Sequence, residues 1–351
     1  MCKKNASFLV VLFLVLISSC VSNNKEKEEI ASGPLKVIFE TDMGNDVDDA
    51  MALDMLYKYL DMDQIELLAI MINKNGEYPA IFADIMNTWY GYPDIPIGVV
   101  RDGADSEHDA VNYTKSVALL KNDQGEPMFT HSHLDYPKLP EAHNLYREIL
   151  SQQPDSSVVI VSVGFSTNLS RLLETPGDDF SPLDGKELVA KKVKYLSNMA
   201  ASFNNPDMTE YNVIKDVAAA KKVFEEWPTH IITSPFEVGV QIEYPAKSIE
   251  NDFGWAPEHP MVEAYKSYLE MPYDRPTWDL TSVLYAVEGP SFFEISSPGF
   301  VSIHENGTSS FKEDANGNHQ YLKVDSLQAE NIKQHFIQLI SKKPKSQDTV
   351  K

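Results

Sequence analysis

Apolar runs that predict β-strands alternate along the chain with segments of helical spacing. The predicted strands are residues 36–39, 66–72, 97–100, 157–163, 193–196 and 229–233. The predicted helices are residues 50–60, 80–90, 141–150, 167–173 and 217–224. Continuously apolar strands such as 66–72 are typical of parallel sheets that are covered on both faces. The alternation therefore predicts an α/β fold, with a mostly parallel sheet flanked by helices.

The pattern changes towards the C-terminus. Residues 292–324 predict short antiparallel strands, and residues 325–340 predict a closing helix. No internal repeat, low-complexity tract or interdomain linker interrupts the sequence from residue 34 onwards. We therefore predict one domain over residues 34–341, followed by a flexible tail over residues 342–351.

The N-terminal segment has the pattern of a secretion signal. Lys3 and Lys4 precede an apolar core at residues 8–17, which is too short to span a bilayer. The segment Ile17-Ser18-Ser19-Cys20 that follows is similar to a bacterial lipobox. This similarity implies cleavage before Cys20 and diacylation of its thiol. An ordinary signal peptide with an incidental cysteine is the alternative.

The lipobox divides the N-terminal segment into two parts. We expect a signal peptide over residues 1–19 and a polar tether over residues 20–33, where a run of charged residues suits a solvated linker. The mature protein would then be an extracytoplasmic lipoprotein, on the periplasmic face or the cell surface. It would contact the membrane only through the lipid anchor.

Composition excludes several classes of function. Asp and Glu outnumber Lys and Arg by 52 to 30, which gives a formal net charge of −22. Nucleic acid is excluded as a partner, because phosphate backbones are bound by basic surfaces. The two cysteines, Cys2 and Cys20, both precede the predicted domain. A disulfide scaffold and a cysteine-ligated zinc site are therefore excluded as well.

Four aspartates directly follow the first predicted strand: Asp42, Asp46, Asp48 and Asp49. Carboxylates this close together raise each other's pKa unless a cation neutralises them. Hard oxygen ligands at a strand-to-helix turn suit Ca²⁺ or Mg²⁺, and ligands of such sheets bind beyond the carboxyl ends of the strands. Helix capping is the alternative, but it explains one aspartate rather than four.

The segment ETDMGNDVDDAMAL at residues 40–53 is similar to a family fingerprint. It resembles DTDxGxDDAxAL, the N-terminal motif of the inosine-uridine preferring nucleoside hydrolases. Further segments resemble that family in order and spacing, at residues 164–169, 204–212, 216–220 and 278–280. The resemblance covers residues 35–303 and implies a Rossmann-like open sheet of the nucleoside hydrolase type.

The resemblance also implies an activity and a site. The implied reaction is Ca²⁺-dependent hydrolysis of the N-glycosidic bond of a ribonucleoside, or a related ribosyl compound, to base and ribose. The implied Ca²⁺ ligands are Asp42, Asp49, the carbonyl of Thr167 and Asp279, and Asp42 would also act as general base. The residues implied to hold ribose hydroxyls are Asp48, Asn75, Asn204, Glu210 and Asn212. The family is commonly oligomeric, which implies a homodimer or homotetramer.

The chain departs from the family pattern at three places. Glu40 replaces the first aspartate, and two extra residues precede the Asp48-Asp49 pair. The insertion leaves Asp46 or Asp48 for the sugar-binding role, and we favour Asp48 because it keeps the helix register. Trp278 stands where some family members carry a histidine that helps the base to leave. It would either stack on the base or pack in the protein.

These departures keep other functions open. A non-catalytic lipoprotein that binds a sugar or nucleoside on the same fold is the second hypothesis. Hydrolysis of another glycan-derived sugar is the third. The pair His131-Ser132-His133 is interpreted as loop residues rather than metal ligands, because no third ligand is near in sequence. It lies in a polar segment, residues 102–138, that could form a lid or rim.

Overall fold

The computed structural model describes Met1 and residues 33–105, 110–132, 134–256 and 258–345. Residues 2–32, which include most of the predicted signal peptide and tether with Cys20, lie outside these ranges, as do His133 and residues 346–351. The chain divides into two compact units, residues 1–33 and 34–351, and only the second is described below. Among the described residues, no helix combines the length and apolar character that crossing a membrane requires.

Twelve strands were assigned in the described residues. They are β1 Leu35–Thr41, β2 Ile65–Ile72, β3 Ile97–Val99, β4 Val158–Ser162, β5 Val193–Met199, β6 His230–Ser234, β7 Glu243–Tyr244, β8 Arg275–Pro276, β9 Glu294–Ile295, β10 Gly299–Ile303, β11 Ser309–Glu313 and β12 His319–Lys323. All six strands predicted from the apolar runs are present, with ends that move by a few residues.

Thirteen α-helices accompany these strands in the described residues. They are α1 Asp48–Asp61, α2 Tyr78–Tyr90, α3 Tyr113–Ala118, α4 Ala142–Gln152, α5 Thr167–Glu174, α6 Gly185–Lys192, α7 Tyr211–Lys215, α8 Val217–Glu226, α9 Phe236–Gly239, α10 Ala246–Asn251, α11 Pro260–Tyr268, α12 Trp278–Glu288 and α13 Ser326–Ile340. Short 3₁₀ helices lie at Tyr136–Lys138 and Gly289–Phe292.

The main sheet has ten strands, and seven neighbours, from β3 through β2, β1, β4, β5 and β6 to β12, pair in parallel. The strand order reverses direction between β1 and β4, because β2 and β3 extend to one side and β5 and β6 to the other. Such a reversal opens a crevice at the carboxyl ends of the two central strands, where doubly wound sheets bind ligands. The predicted α/β fold is confirmed.

The two faces of the sheet carry separate hydrophobic cores. Along β1, Val37 and Phe39 point to one core and Ile38 to the other, as the two-residue period of a strand requires. Helices α1, α2, α11, α12 and α13 pack on the first face, and α4, α5, α6 and α8 pack on the second. Both faces of the central strands are therefore buried, in agreement with their continuously apolar sequences.

The C-terminal strands only partly match the antiparallel prediction. Strand β10 pairs antiparallel with β11 and β12, and β9 pairs antiparallel with β12, as predicted, but β12 also pairs in parallel with β6. Parallel neighbours need a long crossover connection. The chain between β6 and β12, which includes α9 to α12, supplies it. The sequence pattern showed short strands without showing which neighbour each would take.

A buried charged group lies midway along α1, away from the ends of the strands. Asp54 and Lys58 are both almost fully buried, with Lys58 Nζ 3.8 Å from Asp54 Oδ2. Tyr90 donates its hydroxyl proton to Asp54, and His259 Nε2 lies 3.4 Å from Asp54 Oδ1. Burial lowers the pKa of His259 well below its usual value, so this ring is neutral. We call Asp54, Lys58, Tyr90 and His259 the α1 ion network.

The ion network also holds the start of the C-terminal tail. Lys58 Nζ donates to the carbonyl of Lys342 at 2.6 Å, and the N–H of Lys345 donates to Asp61 at 2.7 Å. The sequence predicted a flexible tail from residue 342. Its described part, residues 342–345, makes these hydrogen bonds with α1, because a buried ammonium needs acceptors beyond a single carboxylate. Flexibility of the tail stays a prediction.

Candidate active site

A cavity of about 370 Å³ opens at the carboxyl ends of β1, β4 and β5. Most of its polar lining is carboxylate, from Asp42, Asp46, Asp48, Asp49, Glu210 and Asp279. The remaining lining residues are Asn45, Val163, Met199, Met208, Thr209, Tyr211, Asn212, Phe236, Tyr268 and Trp278. No histidine is among the lining residues in the described part of the chain. The cavity is therefore an acidic pocket with an aromatic wall.

Three loops meet beneath the cavity. The N–H of Asn73, after β2, donates to the carbonyl of Thr41 at 2.9 Å, and the N–H of Val163, after β4, donates to the carbonyl of Glu40 at 2.8 Å. A Cβ atom on Gly164 would lie 2.5 Å from the backbone nitrogen of Asp42, so glycine allows this close approach. The sheet topology thus fixes the position of Asp42.

The first turn of α1 supplies two further carboxylates. Asp48 and Asp49 are its first two residues, where the helix dipole favours negative charge. The N–H of Asp279, at the start of α12, donates to Asp48 Oδ2 at 3.1 Å, and the hydroxyl of Thr41 donates to Asp49. These contacts join α1 and α12 and aim all three aspartates at one point.

The carboxylates of Asp48, Asp49 and Asp279 form a buried group that could hold a metal ion. One oxygen from each lies within 4.8 Å of the others. Burial raises the pKa of all three well above the usual range, and neighbouring aspartates raise it further. A bound hard divalent cation would offset the free-energy cost of ionising these buried carboxyls, since carboxylate oxygens are its preferred ligands. The donor set therefore fits such an ion.

Asp42 lies beside this group and lines the same cavity. Burial raises its pKa to about 7, and the nearby Lys74 ammonium opposes that shift. Lys74 is itself buried, and its Nζ donates to Asn45 Oδ1 at 2.7 Å. A carboxyl with a pKa near neutrality is suited to accept a proton from water.

Asp46 is oriented differently from the other loop aspartates. Arg275, in β8, donates from Nε to Asp46 Oδ1 at 2.9 Å and from a terminal nitrogen to Oδ2. The guanidinium also lies over the rings of Tyr268 and Trp278, at 4.9 and 5.1 Å from their centroids. Asp46 is thus paired with a cation of the chain, although it lies two residues from Asp48.

Glu210 and Asn212 enter the cavity from the start of α7. Glu210 accepts hydrogen bonds from the N–H groups of Ala201, Asn212 and Val213, at 2.9 to 3.2 Å. Burial nevertheless raises its pKa to about 7. Asn212 Nδ2 donates to the carbonyls of Val163, directly after β4, and Met199, the last residue of β5. These bonds fix both side chains against the strand ends.

Trp278 forms part of the aromatic wall and is held by several contacts. Its ring stacks on Phe236 with centroids 5.5 Å apart, and its indole N–H donates to the carbonyl of Phe236 at 3.0 Å. A Cβ atom on Gly239 would lie 2.4 Å from the Trp278 backbone, so α9 packs directly against it. Of the two expected roles, packing is visible in these contacts.

The sequence from residue 37 to residue 334 matches the family model described as inosine-uridine preferring nucleoside hydrolase. The chain belongs to this family. It is therefore a hydrolase that acts on N-glycosyl bonds, as the sequence analysis expected. No curated protein matched the sequence.

Solved structures of nucleoside hydrolases share the fold. A purine-preferring ribonucleoside hydrolase from Gardnerella vaginalis superposes with a TM-score of 0.65 at 16% identity, covering 87% of this chain and 98% of that one. An inosine-guanosine nucleoside hydrolase gives 0.65 at 18%, covering 87% and 97%. An inosine-uridine preferring enzyme from Bacillus anthracis gives 0.60 at 19%, covering 87% and 99%. At such identities the likeness establishes the fold alone.

Most of the site residues that the resemblance to the nucleoside hydrolases implied lie together in the cavity. Asp42, Asp46, Asp48, Asp49, Glu210, Asn212, Trp278 and Asp279 all line the cavity. One arrangement differs from the expectation: the close carboxylate group contains Asp48, which was expected to bind sugar, and not Asp42. Their roles as ligand, base or sugar contact stay predictions.

Three expected residues lie elsewhere. Thr167 directs its hydroxyl to Asp216 at 2.6 Å and lines a separate surface groove, so its carbonyl remains a predicted ligand only. Asn204 is exposed, and its N–H bonds to Glu237. Asn75 is half-buried and does not line the cavity. Strand β2 ends at Ile72, and the residue held by hydrogen bonds directly after it is Asn73.

Sequence reasoning missed several residues of the site. Asn73 donates to Glu40 and accepts from the N–H of Phe165, and it directly follows a strand, which was a usable signal. Arg275 and Tyr268 carried none, since no motif surrounds them. His131 lies 3.4 Å from Asp84 and away from the cavity, as expected of a loop residue.

The polar segment 102–138 contacts the site through Tyr113, whose N–H donates to the carbonyl of Gly44 at 3.1 Å, and through Asp105. Asp105 accepts a hydrogen bond from the hydroxyl of Tyr211 at 2.9 Å and lies 3.2 Å from Lys215 Nζ. Tyr211 lines the cavity. This part of the segment therefore contributes to the rim that the sequence analysis expected.

Proposed function

We propose that the protein hydrolyses the N-glycosidic bond of a ribonucleoside, giving base and ribose, with Ca²⁺ at Asp48, Asp49, Asp279 and Asp42. This proposal is supported by the close group of three buried carboxylates, which lies where the strand order reverses between β1 and β4. Among the described residues the group consists of carboxylates alone, and these hard oxygen donors favour Ca²⁺ or Mg²⁺ over softer metals.

The side chains of the cavity would share the work of the reaction. When bound, Ca²⁺ would lower the pKa of a water molecule and hold two ribose hydroxyls. Asp42, which lines the cavity beside the carboxylate group, would take the proton of that water. Glu210 and Asn212 would hold further sugar hydroxyls. Carboxylates around the ring would stabilise the positive charge that develops on the sugar as the base leaves.

A direct assay tests this proposal. The purified protein should release ribose from inosine or uridine, lose that activity in a chelator, and regain it when Ca²⁺ is added. Mg²⁺ added in parallel distinguishes the two hard cations. Failure to cleave any member of a broad nucleoside panel in the presence of Ca²⁺ would exclude the hydrolytic function.

The aromatic wall favours one alternative, a protein that binds a sugar or nucleoside without turnover. Trp278 stands where a base-protonating histidine occurs in some relatives, and no histidine lines the cavity in the described residues. This alternative predicts that calorimetry detects ribose or nucleoside binding while no product forms. Product formation at a measurable rate would reject it.

We also propose that the protein is a lipoprotein anchored at Cys20 and takes part in scavenging nucleosides outside the cytoplasm. The signal-like N-terminal sequence supports this proposal. Labelled fatty acid should be incorporated into the natural protein and not into Cys20→Ala. For the expected homodimer or homotetramer, light scattering of the purified protein gives the oligomeric state.

A further inference from the structure

The two-residue insertion of the aspartate loop forms part of the cavity wall. Asn45 and Asp46 both line the cavity, whereas Val47, the next residue, is buried in the core. Asn45 accepts from Lys74, which follows β2, and Asp46 accepts from Arg275, which lies in β8. Two cations from distant parts of the chain therefore hold the insertion in place.

Asp46 adds a further carboxylate to the cavity wall beside the group of Asp48, Asp49 and Asp279. Its carboxylate lies beside Asp48: the backbone N–H of Asp48 donates to Asp46 Oδ1, with 3.5 Å between nitrogen and oxygen. A carboxylate at this distance repels Asp48 and, if it could turn, would offer another ligand to a cation held by Asp48, Asp49 and Asp279. An added ligand would displace Asp48 or block the place of a substrate hydroxyl.

Arg275 removes this problem by its geometry. It engages both oxygens of Asp46, a planar two-point contact that fixes the carboxylate as well as neutralising it. The guanidinium is in turn fixed over Tyr268 and Trp278. A lysine could supply the charge but neither the two-point contact nor the stacking.

We propose that Arg275 is a positioning residue, which keeps the carboxylate of Asp46 in the cavity wall and out of the cation group of Asp48, Asp49 and Asp279. This inference rests on the proposed cation site. It concerns which carboxylates reach the cation, so cation binding tests it independently of nucleoside cleavage.

The test is a double-mutant cycle on the purified protein, with Ca²⁺ titrated by calorimetry and nucleoside hydrolysis measured in parallel. In Arg275→Met, Asp46 is released and a positive charge is lost, so Ca²⁺ should bind about tenfold more tightly. The kcat should fall, because Asp46 competes for the position of Asp48. In Asp46→Asn, Ca²⁺ should bind more weakly.

The double variant Arg275→Met/Asp46→Asn decides the question. It should return the Ca²⁺ affinity and kcat close to the wild-type values, because neither charge remains. Lys323→Met, which removes an exposed ion pair with Glu294, is the matched control and should change neither quantity. Melting temperatures of all variants show whether each is folded.

Two results would overturn the inference. If the double variant is as defective as Arg275→Met, then Arg275 acts directly on substrate or fold and not through Asp46. If Arg275→Met has wild-type Ca²⁺ affinity and kcat, then Arg275 positions nothing. A wild-type protein that binds Ca²⁺ without hydrolysing nucleosides contradicts the proposed function alone, and the affinity cycle still tests Arg275.

Discussion

Two groups of buried carboxylates lie along α1, and they differ in what neutralises them. At its start, Asp48 and Asp49 join Asp279 in a group that, in the described part of the chain, consists of carboxylates alone. Two turns later, Asp54 has Lys58, Tyr90 and His259 around it. One helix thus carries a carboxylate that is neutralised by a lysine of the chain and, at its start, a group of carboxylates that is suited to an external cation.

The largest expected difference between the two groups is in activity. Asp49→Ala removes a carboxylate of the cation group, and we expect it to abolish Ca²⁺ binding and lower kcat by about 10³-fold or more. A role in helix capping alone would cost only about 1 kcal/mol of stability. Asp184→Ala, which removes a capping carboxylate from α6, is the matched control and should leave hydrolysis unchanged. Calcium calorimetry and initial rates of ribose release measure the difference, and an active Asp49→Ala would contradict it.

Mutation of the ion network should lower stability and leave Ca²⁺ binding unchanged. Lys58→Met leaves Asp54 buried without its cation, which should lower the free energy of unfolding by about 3–5 kcal/mol in urea titrations. The affinity for Ca²⁺ should not change. Lys58→Met/Asp54→Leu replaces both charges with apolar groups and should recover most of the stability. A loss of Ca²⁺ affinity in the single variant would show that the two groups are coupled.

The dependence of stability on pH should distinguish the carboxylates of the cavity from Asp54 of the ion network. In chelator, Asp42 and Glu210 have a pKa of about 7, above the values near 4 of an unfolded chain. The folded state then binds more protons than the unfolded state between these values, so stability should fall as the pH rises from about 4 to about 7. Melting temperatures at pH 5 and pH 8 measure this effect.

Calcium should remove most of that pH dependence, because a bound cation favours the ionised carboxylates. At a concentration 100 times its Kd, it should stabilise the protein at pH 8 by about 2.7 kcal/mol. The pKa of Asp54, raised to about 6 by burial, gives the same sign of pH dependence. That part should persist in Ca²⁺ and disappear in Asp54→Asn. A protein whose stability rises with pH in chelator would contradict the assignment.

The smallest expected effect distinguishes two asparagines of the loop that follows β2, Asn73 and Asn75. Asn73→Ala breaks contacts to Glu40 and Phe165 and should lower kcat/KM by about tenfold, since each bond to a buried partner contributes about 1 kcal/mol. Asn75→Ala should change kcat/KM by less than about twofold. Equal effects would mean that the expected role of Asn75 in sugar binding is right.

The sequence was most informative where one local rule applied. The apolar runs located all six predicted strands, because parallel strands that are buried on both faces cannot be polar. The pattern did not predict α3, α6, α7 or α9 to α12. Within α12, only the segment at Trp278 to Leu280 was recognised, by its motif. The parallel partner of β12 depends on a crossover that no local pattern records.

The candidate site shows the same limit. Asp42, Asp48 and Asp49 lie in one motif, so the sequence could place them at one site, but it did not show that Asp48 lies in the close group with Asp49 and Asp279. Arg275 could not be placed there from sequence, because its role depends on a contact with Asp46 across 229 residues of sequence. Nor could sequence distance show that the predicted tail begins with residues held by α1, since Lys58 and Lys342 are 284 residues apart. Pairings of this kind are properties of the folded chain.

The direction of β1 has a practical consequence for immobilising this protein. The strand runs seven residues from Leu35 to Thr41, about 20 Å, and the cavity begins at Asp42. Anything joined to the domain ahead of Leu35 is therefore attached at the amino ends of the parallel strands, opposite the carboxyl ends where the cavity opens. A bead or sensor surface attached there would leave the pocket open to diffusing molecules.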